Sequence, residues 1–284
     1  MQKFTLGTAN LGFDYGVMNS KTFNRSNSIA VLEAAVDKGI MTFDTAPGYG
    51  EAEVLLGEVI GNNEDQKVIT KIPKLHKYDF EVIYSSIRQS IKRLAVNKLY
   101  GILFHDANAY AHSGMDRISK EILETGLVEK IGFSAYSEID LIQSLEYCPS
   151  WTIFQLSENI ADRQKRHSQQ LEELANNGIA IYMRSVFLQG LLLATPNEVP
   201  TKFHEIADFN KIISKMANKY EITPRDLCLS YANNISWSSS TIIAAANTTQ
   251  LLDNLNYRQI DLDFEALPTL SAEILDPRNW DKLL

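Results

Sequence analysis

Short apolar runs alternate along the chain with longer segments that have helical periodicity. Eight of these runs are strand candidates: KFTLGTA, MTFDTA, KVITKI, YGILFHD, KIGFSAY, WTIFQLS, AIYMRSVF and STIIAAA. Several of them are continuously apolar, which is typical of strands that are buried on both faces of a parallel sheet.

The intervening segments carry apolar residues at helical spacing. In SIAVLEAAVDKG the pattern predicts a helix that begins at a Ser28 cap and ends at Gly39. Gly126 and Gly178 are placed to end two further helices, and Pro224 suits the first turn of another. The remaining helical segments are EVIYSSIRQSIKRLAV, DRISKEILETG, EIDLIQSLEY, HSQQLEELANNG and FHEIADFNKIISKMANKY.

Eight strands, each followed by a helix, predict an α/β fold in which residues 1–284 form a single (β/α)₈ TIM barrel domain. The chain contains no Pro/Ser-rich linker that would divide it. The main alternative is a doubly wound open sheet, which would carry a G-x-G-x-x-G turn after its first strand. GTANLG at that position has glycines at Gly7 and Gly12, but their spacing does not match.

Composition narrows the class of partner. The chain has a formal net charge of −8 and no basic stripe, so nucleic acid is not expected as a partner. No apolar stretch approaches the length of a membrane span, and MQKFTLGTANLGF lacks a secretory signal. Cys148 and Cys228 are far apart and the histidines are scattered, so no metal site is expected. We therefore expect a cytoplasmic protein that is a monomer or a weak homo-oligomer.

Polar side chains end three successive predicted strands. Asp44 closes the second strand, Lys71 the third and His105 the fourth, and Tyr49 follows Asp44 in TFDTAPGYG. Each has an ordinary alternative explanation, such as a turn cap, a strand end, a structural histidine or a loop aromatic. Because active sites of such barrels lie at the C-terminal ends of the strands, we expect the four side chains to meet in one pocket.

These four groups together favour carbonyl reduction. A free phenol has a pKa of about 10 and is a poor acid at neutral pH. A nearby ammonium lowers that pKa, and a carboxylate can hold the ammonium in place. An imidazole can orient a carbonyl oxygen, so that the phenol protonates the alkoxide as it forms. The hydride has to come from a cofactor, because no side chain supplies one.

The chain resembles the aldo-keto reductases in stretches that follow one another over almost its whole length. These stretches are GIMTFDTAPGYGEAEVLLGEVI, VITKI, LFHD, GLVEKIGFSAY, FQLSEN, RSVFLQGLL and TIIAAANTTQLLDN. The resemblance implies reversible, NAD(P)H-dependent reduction of a small-molecule aldehyde or ketone. It also implies that Tyr49 is the general acid, that Lys71 pairs with Asp44, and that His105 orients the carbonyl.

The resemblance further implies a site for NADP(H) or NAD(H). Ser134 and Gln155 would hold the nicotinamide carboxamide. The pyrophosphate would lie against Ser185, Phe187 and Leu188, and the adenosine against Asn247, Gln250, Asp253 and Asn254. The other expected cofactor contacts are Gly7, Thr8, Asp44, Arg184 and Ala244.

Three positions depart from the family pattern. The Asn usually found beside Ser134 is Ala135, and the aromatic residue that often stacks on the nicotinamide is Arg184. A guanidinium can also stack on a planar ring, but its charge would be felt by an oxidised nicotinamide. Ala244 and Gln250 stand where NADPH-preferring members commonly have Lys or Arg, so we expect a weak NADPH preference and some use of NADH. The candidate cations for a 2′-phosphate are Arg163, Lys165 and Arg166.

The loops of such barrels carry substrate specificity. Phe13 and Tyr15 after the first strand, and Tyr110 after the fourth, are candidate substrate contacts, with solvent-exposed aromatics as the alternative. Little sequence follows LDPRNW, which predicts an open mouth and favours a sugar or sugar nucleotide over a small aldehyde. A nicotinamide-sensing regulatory module with little turnover is the second class of function, although a complete set of four catalytic groups favours an enzyme.

Overall fold

A computed structural model describes residues 4–18, 23–61 and 63–282. Eight strands form a closed barrel in chain order, and every neighbouring pair is parallel, including the first with the eighth. The strands are β1 Phe4–Gly7, β2 Thr42–Asp44, β3 Lys67–Ile72, β4 Leu99–Phe104, β5 Val128–Ala135, β6 Ile153–Ser157, β7 Ala180–Arg184 and β8 Ser240–Ile243. The (β/α)₈ barrel predicted from the sequence is confirmed, and each predicted strand overlaps one of these eight, although β4 and β5 begin one and two residues earlier than predicted.

Helices surround the barrel. The α-helices are α1 Arg25–Asp37, α2 Ala52–Ile60, α3 Phe80–Leu94, α4 Asn108–Ala111, α5 Met115–Glu124, α6 Glu138–Tyr147, α7 Gln169–Asn176, α8 His204–Lys219, α9 Pro224–Asn233, α10 Thr248–Leu255 and α11 Ala272–Leu275. Short 3₁₀ helices span Ala9–Leu11, Leu188–Leu193, Thr201–Phe203 and Pro277–Lys282. Within the described residues, none of the helices combines the length and the apolar character needed to cross a bilayer.

The ends of the helices follow the sequence with one exception. Gly39, Gly126 and Gly178 have φ values of +79°, +73° and +88°, the conformation in which glycines commonly end helices. The predicted Ser28 cap is wrong, because α1 begins earlier, after Asn24. The Asn24 side chain accepts a hydrogen bond from the Asn27 amide at 2.9 Å and so satisfies a free donor of the first turn.

The barrel interior positions the functional face. Ile69, Leu103, Ile153 and Tyr182 form a buried apolar cluster of their own, separate from the larger core between strands and helices. Since side chains alternate along a strand, the residues two positions further on point to the same side. On those four strands they are Lys71, His105, Gln155 and Arg184, so the apolar cluster lies directly beneath a polar layer.

Candidate active site

A cavity of about 680 Å³ opens at the C-terminal ends of the strands. Every strand contributes a residue at or near its C-terminal end, and among these are Gly7, Asp44, Lys71, His105, Ser134, Gln155, Arg184 and Ala244. All eight are residues that the sequence predicted for the site. Tyr49 enters from the loop after β2, and Tyr15 from the loop after β1. The volume is in the range of small-molecule and cofactor sites.

Lys71 and Asp44 form a buried ion pair at the base of this cavity. Lys71 Nζ donates to Asp44 Oδ1 at 2.5 Å and to the Thr45 carbonyl at 2.9 Å. Gln155 Nε2 donates to the same carboxylate oxygen, and Ser134 Oγ lies 3.4 Å from Gln155 Oε1. A connected polar network therefore links side chains from β2, β3, β5 and β6 across the top of the barrel, which fixes their positions.

Tyr49 is held by two loops in close contact. A Cβ atom at Gly12 would lie 1.8 Å from the Tyr49 carbonyl oxygen, and one at Gly50 would lie 2.3 Å from the Gly12 carbonyl oxygen. Gly50 also has a φ of +58°, so both the close contact and the left-handed backbone favour glycine at this position. The ring centre of Tyr49 is 5.1 Å from Lys71 Nζ, which brings the phenol and the ammonium together as the sequence predicted.

The electrostatics of Tyr49 differ from the expectation. Its pKa is raised from the ordinary value, first by burial and then by the negative charge of Asp44, while Arg184 acts in the opposite direction. The lowering of the Tyr49 pKa that was expected from Lys71 is not among the causes of this shift, whose net direction is upward. The pKa of Lys71 itself is lowered, mainly by burial, with Asp44 opposing that shift. The phenol is consequently protonated at neutral pH, the state that a proton donor needs.

His105 is a neutral imidazole in this site. It faces the open cavity, but the surrounding protein still disfavours its charged form. This desolvation, followed by the charges of Lys71 and Arg184, lowers its pKa to about 3. A neutral imidazole has one N–H donor that can reach a carbonyl oxygen.

The loop after β7 lines the cavity with unusual backbone. Ser185, Leu188 and Gln189 have φ values of +67°, +46° and +55°, and Gly190 follows at +89°. Phe187 and all four of these residues line the cavity. Left-handed residues of this kind can turn backbone N–H groups into a concave anion site, which agrees with the predicted pyrophosphate position.

Two of the four residues predicted to contact the adenosine line the cavity near β8. Gln250 and Asn254 line it, and Asn254 Nδ2 donates to the Ala244 carbonyl at 3.1 Å. The structure does not place Asn247 or Asp253 among the lining residues. The Asn247 side chain caps α10 by accepting from the Gln250 amide at 2.9 Å. Thr8 also lies outside the lining, buried behind it, and donates to the Asp44 carbonyl at 3.1 Å.

The predicted phosphate cations are engaged elsewhere, and none of the three lines the cavity. Arg163 donates to backbone carbonyls, including that of Pro268 at 3.1 Å. Lys165 pairs with Asp162 at 2.8 Å, and Arg166 with Glu265 at 3.1 Å. Their charge in the sequence gave no indication of these local partners.

Arg225 is a cavity cation that the sequence analysis missed. It is the second residue of α9, lines the cavity near Gln250 and Asn254, and pairs with Asp253 at 2.9 Å. Its Nε is buried and has no hydrogen-bond partner. The side chain comes from a helix start, so a search of strand ends could not find it. Asn10, also missed, lines the cavity and has a buried, unpartnered Oδ1.

The three predicted substrate aromatics have different positions. Tyr15 lines the cavity. Phe13 lies next to Tyr15, and the two rings meet edge to face with their centres 5.7 Å apart. The Phe13 ring is also stacked on Tyr49, at 6.5 Å between ring centres. Tyr110 packs against Phe133 at 5.4 Å and is not among the residues that line the cavity, so its role as a substrate contact stays a prediction.

The C-terminal segment reaches the rim of the cavity, which was not expected from the sequence. Pro277 lines the cavity, and the Arg278 guanidinium lies 3.9 Å from the ring centre of Tyr136, a further lining residue. The segment is anchored by Trp280, which packs edge-on against Phe203 at 5.0 Å.

The cavity suits a dinucleotide. Arg184 and Arg225 both line it, and each carries a buried Nε without a hydrogen-bond partner. Buried donors without partners fit an anionic, acceptor-rich ligand.

Comparison with known proteins identifies the family. The aldo/keto reductase family model matches residues 3–272. The chain is similar to pyridoxal 4-dehydrogenase of Microbacterium luteolum, at 42% identity over 73 residues, which are 25% of this chain and only 20% of that protein. It is similar to L-glyceraldehyde 3-phosphate reductase of Escherichia coli, at 22% identity over 312 aligned positions that cover 94% of this chain and 88% of the relative.

A solved structure supports the fold. The chain superposes on a thermostable aldo-keto reductase crystallised with the inhibitor epalrestat, with a TM-score of 0.69 and 21% identity, covering 100% of this chain and 96% of the other. Since the family model extends over nearly the whole sequence, the protein belongs to the aldo/keto reductase family and is an NAD(P)-dependent oxidoreductase.

Proposed function

We propose that the protein reversibly reduces an aldehyde or ketone to an alcohol, with Tyr49 as the proton donor. One observation carries the proposal: Asp44, Tyr49, Lys71 and His105 line the same cavity, with Lys71 bonded to Asp44. An acid, a phenol, an amine and a neutral imidazole around one space are the groups that protonation of a developing alkoxide requires.

The chain's own residues would hold NADP(H) or NAD(H) along this cavity. When bound, the cofactor supplies the hydride. Ser134 and Gln155 would hold the nicotinamide carboxamide, and the backbone from Ser185 to Gly190 the pyrophosphate. Gln250, Asn254 and Arg225 would lie on the adenosine side.

Tyr49 and His105 act on the substrate oxygen. Both donate hydrogen bonds to the carbonyl oxygen, which polarises the carbonyl and leaves its carbon open to the hydride. As the carbonyl π electrons move onto the oxygen, Tyr49 transfers its proton there, forming the alcohol and a phenolate. The positive charges of Lys71 and Arg184 stabilise that phenolate until a proton from solvent restores it.

The lining of the cavity supports a polar substrate, and we propose a sugar or sugar nucleotide. The unpartnered Oδ1 of Asn10 is an acceptor for a hydroxyl, and Tyr15 and Glu198 add polar groups to the same wall. A relative of similar length is a reductase of L-glyceraldehyde 3-phosphate, which is itself a hydroxylated aldehyde.

The test is NAD(P)H oxidation with a panel of sugars, sugar phosphates, sugar nucleotides and simple aldehydes. Tyr49→Phe should lower kcat by roughly 10²-fold or more while cofactor affinity stays near that of the wild type. Tyr110→Phe, which removes a phenol outside the cavity, is the matched control and should keep full activity. Equal turnover by wild type and Tyr49→Phe would refute the assigned donor. Tight cofactor binding without turnover of any compound would favour the nicotinamide-sensing module.

A further inference from the structure

Arg184 is a fixed cation at the edge of the proposed reaction site. Its Nη2 donates to the Ala135 carbonyl at 3.0 Å and its Nη1 to Ser185 Oγ at 3.2 Å. The guanidinium carbon lies 4.4 Å from the ring centre of Tyr136, a favourable stacking distance. These contacts leave the guanidinium little freedom to turn away from the cavity.

The charge of Arg184 has no ion-pair partner in contact with it; Asp276, which is paired with Arg278, feels this charge from further away. The other cations of the cavity wall are paired, Lys71 with Asp44 and Arg225 with Asp253. In the described parts of the chain, no carboxylate lies within ion-pair distance of Arg184. Burial dominates the shifted pKa values of Tyr49 and His105, but the Arg184 charge acts on both, so its field reaches the reaction site.

Arg184 also borders the residues proposed to hold the carboxamide. The Ala135 carbonyl that it contacts belongs to the residue after Ser134. In the sheet, Arg184 on β7 is paired with Ser157 on β6. Ser157 lies two residues beyond Gln155, so both side chains of β6 point to the same inner face. A ring held by Ser134 and Gln155 is therefore a neighbour of the guanidinium.

We propose that Arg184 makes this cavity bind the reduced dinucleotide more tightly than the oxidised one. The inference rests on the proposed function. The nicotinamide ring is neutral when reduced and positively charged when oxidised, and the rest of the cofactor has the same charge in both states. A fixed positive charge beside the ring therefore weakens only the oxidised form, and at contact distance in a partly desolvated site the expected ratio of dissociation constants is about tenfold or more. The oxidised cofactor would leave quickly, which favours the reductive direction.

The test measures binding rather than turnover. NADPH and NADH affinities are obtained from the change in nicotinamide fluorescence, and NADP⁺ and NAD⁺ affinities by competition, at one ionic strength. The wild type should have a dissociation constant for the oxidised form at least roughly tenfold above that for the reduced form. Arg184→Gln should reduce this ratio about tenfold, mainly by tightening the oxidised form, and Arg184→Lys should retain most of it. Arg166→Gln is the matched control, because it removes a cation stacked on Tyr231 that does not line the cavity, and it should leave the ratio unchanged.

Equal affinities of the wild type for both redox states would overturn the inference while leaving the proposed function intact, and that measurement needs no variant. A ratio unchanged in folded Arg184→Gln would also overturn it. Failure of every protein to bind either form would refute the proposed cofactor site itself, and this inference with it.

Discussion

Lys71 Nζ lies 2.5 Å from Asp44 Oδ1, and both side chains are buried, so each charge depends on the other. Lys71→Met should leave the Asp44 carboxylate inside the protein without its counter-ion. Loss of one partner of a buried pair typically costs about 3–5 kcal/mol of unfolding free energy. We expect a loss of that order in denaturant titration, together with a decrease in kcat of roughly 10²-fold or more.

The double variant Asp44→Asn/Lys71→Met separates structure from chemistry. Removing both charges should restore most of the lost stability, because no unpaired charge remains. It should not restore kcat, because the phenolate of Tyr49 still lacks the ammonium. A double variant that recovers activity along with stability would show that the pair has only a structural role.

The low pKa of His105, about 3, predicts a flat acid limb of the activity profile. Because the imidazole is already neutral at pH 5, kcat/KM should show no inflection near 6.5, the ordinary histidine value. Because the folded pKa lies below the unfolded one, the unfolded chain binds more protons between about pH 6.5 and 3. His105 therefore contributes a loss of stability as pH falls through that window. Stopped-flow rates and melting temperatures from pH 5 to 8, in wild type and His105→Gln, check both statements; an inflection near 6.5 that His105→Gln removes would contradict them.

Lys71 and His105 could be predicted from the sequence because each is a polar residue at the end of an apolar strand, and barrels place their chemistry at that end. Gln155 and Arg184 were expected only from the family resemblance, because a continuously apolar strand does not show which of its side chains point inward. The same reasoning fails for side chains that reach the site from elsewhere. Arg225 arrives from a helix start, and Pro277 from a C-terminal segment whose path depends on packing that no local pattern encodes.

Positive charge in the sequence did not identify the cations that line the cavity. Arg163, Lys165 and Arg166 are consecutive or nearly so and basic, yet each is bound to a carbonyl or carboxylate close by. Tyr110 was expected in the pocket because it follows a strand end, but it packs against Phe133 instead. Apart from Asp162, which lies three residues before Lys165, these partners are tertiary contacts that sequence spacing does not show. That residues 1–284 form one domain, and that the protein is cytoplasmic and weakly associated or monomeric, stay predictions.

The contact between Gly12 and Tyr49 predicts a loop substitution that acts on catalysis. Gly12→Ala would place a Cβ 1.8 Å from the Tyr49 carbonyl oxygen, so the loop that carries the phenol has to move. A misplacement of a catalytic group by about 1 Å can cost roughly 10²-fold in rate. We expect kcat to fall by about that factor while cofactor affinity changes little. Gly48→Ala, in the loop that carries Tyr49, is the control, because a Cβ there meets nothing within 4 Å, and unchanged kcat in Gly12→Ala would refute the positioning argument.

Arg225 and Asp253 together predict how the enzyme discriminates between NADPH and NADH. A guanidinium near a ribose can bind a 2′-phosphate, and a carboxylate can accept a hydrogen bond from a 2′-hydroxyl. Here the two groups are bonded to each other at 2.9 Å, so the arginine is available to a phosphate only in competition with Asp253. This competition gives a physical reason for a weak preference, and we expect the KM values for NADPH and NADH to differ by less than about 100-fold.

The two variants of this pair should shift the preference in opposite directions. Arg225→Ala should weaken NADPH binding roughly tenfold or more and leave NADH nearly unchanged, because a charge-assisted bond to phosphate is lost. Asp253→Asn should strengthen the binding of NADPH relative to that of NADH, because the substitution releases the Arg225 guanidinium from its ion pair. Arg163→Ala, which alters a cation outside the cavity, should change neither affinity. If Arg163→Ala weakens NADPH and Arg225→Ala does not, the phosphate is read by the segment after β6, and the sequence-based assignment is correct after all. A wild-type preference above about 100-fold would mean instead that Asp253 does not compete, because the full strength of a guanidinium–phosphate contact would then be realised.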